Sequence, residues 1–213
     1  MEVVLESGMF RVVAVAAGYL FGNLQTSYLF GKLFKNTDIR EYGSGNSGTA
    51  NTIRTFGFKM GVCVFAVDVL KAVAAFLVCM YFMGGSFFGG ENGLLPGMYA
   101  GAGVVLGHNF PFFMGFKGGK GIASSMGVML CTDWRIVVIQ AILGFACLFA
   151  TRMTSVVSLA LTLAFPGLLL LFGFDTETVL VSAFMTVLAW AMLRGNIKRI
   201  LSGSERKLSF NKR

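Results

Sequence analysis

Two stretches of this 213-residue chain combine residue types that could hold an anion, and both interrupt long apolar blocks. The first runs Gly43-Ser44-Gly45-Asn46-Ser47-Gly48-Thr49-Ala50-Asn51-Thr52-Ile53-Arg54. Gly43, Gly45 and Gly48 free the backbone to turn several N–H groups toward one anion, while Ser44, Asn46, Thr49 and Asn51 add neutral donors. Arg54 ends the run with a planar guanidinium suited to phosphate oxygens. A flexible polar loop would also explain the glycines, but not so many donors closing on an arginine.

The second stretch runs Gly107-His108-Asn109-Phe110-Pro111 and continues through Phe116-Lys117-Gly118-Gly119-Lys120-Gly121 into an apolar segment. Glycines that lead into a helix place its unsatisfied N–H groups and the positive end of its dipole where an anion can reach them. Lys117 and Lys120 add point charges on either side of the turn. The spacing is not that of a Walker A loop, and Gly121 rather than a serine or threonine follows Lys120, so nucleotide hydrolysis is not indicated. A pair of lysines that only set membrane orientation is the plainer alternative.

Three further ionisable residues stand out. His108 is the only histidine; near a membrane boundary it reads first as a hydrogen-bonded structural residue and second as a catalyst. Asp68 and Lys71 lie inside an apolar block, where ionisable groups are costly and face the bundle interior. Their i, i+3 spacing puts them on one helix face, where they pair. A structural pair is the first reading and direct chemistry the second. Cys63, Cys79, Cys131 and Cys147 all sit in apolar segments without metal-ligand spacing and read as hydrophobes, so no metal site is expected.

The elements that must position these residues are membrane helices. Hydrophobic residues make up 55% of the chain and charged residues only 13%, about half the charge of a soluble domain. The apolar blocks are long enough to cross a bilayer as helix, and strand-period alternation is absent. The pattern predicts one all-α, polytopic membrane domain over residues 1–213. It has about seven transmembrane helices, near Met9–Leu33, Gly57–Met83, Leu94–Asn109, Gly119–Cys131, Ile136–Ala150, Ser155–Phe172 and Thr178–Leu193. Glu2 and Glu6 put negative charge where a signal peptide needs positive, so the first apolar stretch is expected to be retained. Alternate loops collect the basic residues: Lys32, Lys35, Arg40, Arg54 and Lys59, then Lys117 and Lys120, then Arg152, then a tail from Arg194 to Arg213. The opposite loops hold Glu91, then Asp133 with Arg135, then Asp175 and Glu177. The positive-inside rule therefore puts the N-terminus outside and the C-terminus in the cytoplasm, and an odd helix count agrees. The net charge of +8 is accounted for by topology and lipid headgroups, so nucleic acid is not an expected partner.

In this order between hydrophobic spans, the two loops resemble the bacterial acyl-phosphate:glycerol-3-phosphate acyltransferases, the PlsY family. The family's first signature, GSGNxGATNxxR, is similar to Gly43–Arg54, with its Ala-Thr inverted as Thr49-Ala50. The second, GHxFPxFxxFKGGKG, is matched without a break from Gly107 to Gly121. The third, HRxNIxRLxxGxE, has Asn196-Ile197, Arg199, Gly203 and Glu205 in register. Two departures are visible. Leu193 stands where the third signature has histidine, and Asn23-Leu24-Gln25 replaces a Ser-Ile-Pro-like turn.

The resemblance implies a multi-pass protein of the bacterial inner membrane. It would transfer the acyl group of a fatty acyl phosphate to the sn-1 hydroxyl of glycerol 3-phosphate, giving lysophosphatidate and phosphate, with membrane lipid around it and no cofactor. Acyl phosphate is already activated, so no covalent nucleophile is required, and no nucleophile elbow is present. Ser44, Arg54, Lys120 and Asn196 are the implied catalytic set. Gly43, Gly45, Asn46, Asn51, His108, Lys117, Gly118, Gly119 and Gly121 are the implied substrate contacts. Asp68, Lys71 and Glu205 are expected to be structural, Glu205 anchoring the tail on a cationic neighbour. Two other readings stay open: a transporter of a phosphorylated small molecule, and a diverged homologue that binds lipid or phosphate without turnover. Oligomeric state and acyl-chain preference are not encoded legibly.

Overall fold

Up to residue 122 the described breaks between helices carry glycine, asparagine or proline, whereas those at 131–133, 152–153 and Leu193 carry none of them. The structure, a computed structural model, describes residues 8–84 and 93–208, and no strand occurs among them. Glu2, Glu6, Glu91 and the tail beyond residue 208, which entered the orientation argument, lie outside the described residues.

The first expected helix is two. Helix α1 (Met9–Gly22) ends where the Asn23 side chain donates to the Tyr19 carbonyl at 2.7 Å, an alternative to helical pairing that short amides offer. Gln25 is non-helical, at φ −95° and ψ 81°, and α2 (Thr26–Lys35) follows. Asn36, in the left-handed region, ends α2. Helix α3 (Thr49–Phe56) was not expected from the sequence, which reads there as a polar loop; Gly57, at φ +91°, separates it from α4 (Phe58–Gly84). Helix α5 spans Leu94–Asn109 as expected. Helix α6 (Ile122–Leu130) begins later than Gly119 because Gly121, at φ +73°, is its left-handed N-cap.

Residues 1–131 form one compact unit and residues 132–213 a second. In the first, α1 lies along α5 with the two backbones in direct contact. A Cβ added at Gly18 or Gly22 would meet the Ala100 or Val104 carbonyl, and one at Gly103 or Gly107 would meet the Val15 or Tyr19 carbonyl. Phe76 of α4 fills the space over Gly97, and α6 approaches α4 where Gly127 faces the Val69 carbonyl. Ala14, Cys79 and Ala100 form a small-residue core between α1, α4 and α5.

The second unit contains α7 (Trp134–Thr151), α8 (Thr154–Leu171), α9 (Thr176–Met192) and α10 (Arg194–Leu201). Asp133 and Asp175 cap α7 and α9 through their carboxylates, as N-cap residues do. Pro166 inside α8 leaves the Thr162 carbonyl without its i+4 donor. The Thr186 hydroxyl of α9 fills that place at 2.6 Å.

Among the described residues three helices, Phe58–Met83, Trp134–Thr151 and Thr154–Leu171, are long and apolar enough to cross a membrane. A fourth candidate is the pair Thr176–Met192 and Arg194–Leu201, bent by 62° at Leu193. Leu70, Ile142, Phe149 and Leu171 are exposed, the arrangement expected where apolar side chains meet lipid rather than water.

Candidate active site

The first glycine loop is built around one amide. Asn51, buried on the first turn of α3, donates from Nδ2 toward the carbonyls of Ile39 (3.2 Å), Tyr42 (3.0 Å) and Asn46 (3.0 Å), and its Oδ1 accepts the Ser44 N–H at 2.8 Å. Gly43 and Gly45 take φ of +62° and +74°, and a Cβ at Gly43 would collide with the Asn51 amide. These two positions therefore require glycine. Ser44 is exposed, and Arg54 stands exposed in the last turn of α3.

Asp38 caps the short 3₁₀ turn Ile39–Glu41 and takes the Arg40 guanidinium, with Nη2 to Oδ2 at 2.8 Å. The hydrogen bond from Arg40 holds the Asp38 carboxyl below its ordinary range against an opposing effect of burial, and the same bond raises Arg40. Arg40 also donates from Nη1 to the Met114 carbonyl at 2.9 Å. That bond ties the first loop to the second.

The second loop folds back on the end of α5. Gly118 N–H donates to the Asn109 carbonyl and Gly119 N–H to the His108 carbonyl, each at 3.0 Å. A Cβ at Gly118 would strike the His108 carbonyl, and one at Gly119 the His108 ring. Lys117 is exposed and Lys120 half-buried as the loop enters α6. The backbone that Pro111 and the turn leave unpaired is met by α1 and the turn after it. Tyr19 Oη donates to the Phe110 carbonyl (2.7 Å), Asn23 Oδ1 accepts the Phe112 N–H (3.1 Å), and Gln25 Nε2 donates to the His108 carbonyl (3.1 Å).

Beneath the loop lies a buried ionic cluster. Lys71 Nζ is 2.8 Å from Asp68 Oδ1, 2.9 Å from His108 Nδ1 and 2.7 Å from the Leu24 carbonyl. Thr26 donates to Asp68 Oδ1 at 3.3 Å. The Asp68–Lys71 pair expected from the i, i+3 spacing is present and gains His108 as a third member.

Several sequence expectations change in kind. His108 is 3% exposed and sits under the second loop instead of on its open face. Its ring nitrogen adds a further contact to a buried Lys71 already paired with Asp68 and the Leu24 carbonyl. The N–H groups of Ser44, Gly45, Gly118 and Gly119 donate within the protein, as does the Asn51 amide, and these bonds shape the loops. Thr49 Oγ1, both amide atoms of Asn109 and Ser125 Oγ are buried without a hydrogen-bond partner. They lie on or beside the two loops.

The third motif is in the second unit. Glu205 accepts Asn196 Nδ2 (2.7 Å) and Ser155 Oγ (2.9 Å) on Oε1, and Arg199 Nε (2.7 Å) on Oε2. Burial raises the Glu205 carboxyl most strongly, but the bonds from Asn196, Ser155 and Arg199 together outweigh it and leave the group below its ordinary range. Arg199 is the expected cationic neighbour. Asp38, Arg40, Gln25 and Ser47 carry no site role in the sequence pattern, where Arg40 counts only as an orientation charge and Ser47 only as part of the glycine stretch. The only hint was that Gln25 is a long amide in a turn between apolar helices.

A family model described as Glycerol-3-phosphate acyltransferase matches residues 12–203. The glycerol-3-phosphate acyltransferase of Thermoanaerobacter sp. (strain X514) is 38% identical over 200 residues, covering 94% of this chain and 96% of that protein. That of Clostridioides difficile (strain 630) is 36% identical over 210 residues, covering 98% and 100%. The crystal structure of PlsY (YgiH), an integral membrane glycerol 3-phosphate acyltransferase, in its glycerol 3-phosphate form is similar with a TM-score of 0.83. Identity is 30%, over 93% of this chain and 96% of that one.

Proposed function

The chain belongs to the glycerol-3-phosphate acyltransferase family, and on that premise we propose that it moves an acyl group from a fatty acyl phosphate to the sn-1 hydroxyl of glycerol 3-phosphate. The whole chain, residues 1–213, acts as one acyltransferase domain in the bacterial inner membrane. The observation that carries the reading is the joining of two glycine loops with cations at their ends. Arg54 belongs to one, Lys117 and Lys120 to the other, and Arg40 links the loops through the Met114 carbonyl. Both substrates carry phosphate, and two such loops held side by side suit a pair of phosphates.

In the reaction the sn-1 oxygen attacks the acyl carbonyl carbon, the new ester C–O bond forms, and the acyl C–O bond to phosphate breaks. The hydroxyl proton passes to a phosphate oxygen, so that lysophosphatidate and inorganic phosphate leave. Arg54, Lys117 and Lys120 hold phosphate oxygens; the Ser44 hydroxyl and Asn46 position the acceptor and donor. Asn196, to which the family resemblance assigns the acceptor, has its amide held by Glu205 within the second unit. Gly43, Gly45, Gly118, Gly119, Gly121 and Asn51 give the loops their shape, and Asp68, Lys71 and His108 support the second loop from below. Orientation of two bound reactants can supply about 7–11 kcal/mol in the best cases.

The seven-crossing topology, with N-terminus outside and C-terminus in the cytoplasm, is part of this reading. It is supported by the Arg40 link, which puts two basic loops at the same end of the first unit. One observation favours a second reading, a homologue that binds without turnover: Leu193, buried at the bend between α9 and α10, stands where the family signature has histidine. Purified protein given acyl phosphate and glycerol 3-phosphate decides between them. Lysophosphatidate and phosphate released in equal amounts support the enzyme. Saturable glycerol 3-phosphate binding without product supports the second reading, and product from acyl-CoA alone overturns the donor assignment.

A further inference from the structure

Gln25 touches both loops with the two ends of one side-chain amide. Its Oε1 accepts the Ser47 hydroxyl at 3.1 Å, on the first loop. Its Nε2 donates to the His108 carbonyl at 3.1 Å and the Gly22 carbonyl at 3.2 Å, with the Gly107 carbonyl at a longer 3.4 Å. Gly107 is the residue whose helical donor would come from position 111, and position 111 is proline. Gln25 therefore stands in for a missing backbone donor at the end of α5 while reaching across to the other loop. Ser47 is held from its other side as well, because its carbonyl accepts the Ser27 hydroxyl at 2.6 Å. Gln25, Ser27 and Ser47 are all essentially buried. A buried amide satisfied at both ends is costly to move, since any displacement leaves polar atoms unpaired.

We propose that the Gln25–Ser47 hydrogen bond is a positioning bridge that fixes the separation and rotation of the two phosphate-holding loops, so that transfer between the bound substrates depends on it more than binding of either does. The proposal rests on the acyltransferase reading. Neither side chain is placed to touch a soluble substrate; both act through the loops. Arg40 joins the same loops by bonds from Nη1 to the Met114 carbonyl at 2.9 Å and the Lys117 carbonyl at 3.5 Å. Contacts from one partly exposed nitrogen leave the two loops free to pivot about it. A second, buried contact removes that freedom, and a displacement near 1 Å can cost about 100-fold in rate.

The test uses the full-length protein in detergent, with Gln25→Met, Ser47→Ala and the double variant. For each, kcat per folded molecule, KM for acyl phosphate and for glycerol 3-phosphate, thermal unfolding, and hydrogen exchange over residues 43–52 are measured. The bridge predicts that each single variant loses roughly 10- to 100-fold in kcat while both KM values stay within about threefold. The double variant should be no worse than the worse single, because both changes cut one contact. Normal kcat per folded molecule, losses that multiply in the double variant, or losses carried by KM would overturn it. Ser47→Ala removes only a hydroxyl and carries the test if Gln25→Met fails to fold. If the parent itself makes no lysophosphatidate, the acyltransferase reading fails, and the exchange measurement still judges the bridge. Faster exchange at 43–52 in either variant upholds it, and unchanged exchange rejects it.

Discussion

Lys71 Nζ lies 2.9 Å from His108 Nδ1; with Lys71 charged, the ammonium is the donor of that pair and the ring hydrogen of a neutral His108 belongs on Nε2, beside Gly119. Asp68 Oδ1, 3.6 Å from the same ring nitrogen, is beyond hydrogen-bond range of it. Lysine thus serves aspartate, histidine and the Leu24 carbonyl together. Lys71→Met leaves a buried carboxylate without its cation and should destabilise the protein by about 3–5 kcal/mol. Lys71→Met combined with Asp68→Leu removes both charges and should recover much of that loss. Thermal unfolding in detergent checks both; a double variant as unstable as Lys71→Met would contradict the pairing.

Arg54→Lys should leave the fold intact and lower turnover at least tenfold, the equivalent of about 1.5–3 kcal/mol for a hydrogen bond to a charged group. Lysine keeps the charge and loses the planar fork. The measurement is kcat/KM for both substrates beside a thermal unfolding curve. Unchanged kcat/KM would reduce Arg54 to an orientation charge.

Leu193→His should bring no gain in kcat. Leu193 is 2% exposed at the α9–α10 bend, and an imidazole there costs about 1–3 kcal/mol if it finds no partner. His108 cannot readily serve as the base either, because its Nδ1 is taken by Lys71. Substrate phosphate is therefore the expected proton acceptor. A large rise in kcat for Leu193→His would show that the family residue takes part in the chemistry and that this chain runs without it.

The tail clamp at Glu205 should be acid-labile. A carboxyl whose folded value is depressed stabilises the fold fully above its ordinary value, 4.5 for glutamate. That stabilisation fades as pH falls toward the lower folded value. Protection from hydrogen exchange across residues 196–208, taken relative to the intrinsic rate at each pH, should fall from pH 5 downward in the parent. In Glu205→Ala that protection should be low already at pH 7 and nearly independent of this titration. A parent profile flat to pH 3 would contradict the clamp.

Orientation is checked by single-cysteine labelling in a cysteine-free background. Asn36 and Lys207, both exposed, should react only when a membrane-impermeant reagent reaches the cytoplasmic side. Thr176, exposed at the start of α9, should react from outside. Labelling of Asn36 from outside would overturn the seven-crossing reading.

Residues that were legible in the sequence were those whose chemistry is out of place locally. Asp68 and Lys71 stand out as charges three apart in an apolar block, and Arg54, Lys117 and Lys120 as cations closing glycine runs. Helix α3 was not legible because Thr49–Phe56 is polar and only Gly48 and Gly57 mark its ends. The break between α1 and α2 was hidden because a helix in hydrocarbon needs no polar face, so no periodicity changes at Asn23. His108 joining Lys71, and Ser47 joining Gln25, depend on approaches between residues 37 and 22 positions apart, which a linear pattern does not display.

The contact of α1 with α5 through Gly18, Gly22, Gly103 and Gly107 has a consequence for anyone mapping this protein by mutation. Methyl groups at those positions have no flexible neighbour to displace, only backbone atoms. Each would act as a wedge between the helices whose ends carry Asn23 and His108. Alanine, the usual harmless probe, is here the intrusive one. An activity screen without a folding measurement would rank Gly18 and Gly103 beside Arg54 and report an active centre far wider than the two loops proposed for it.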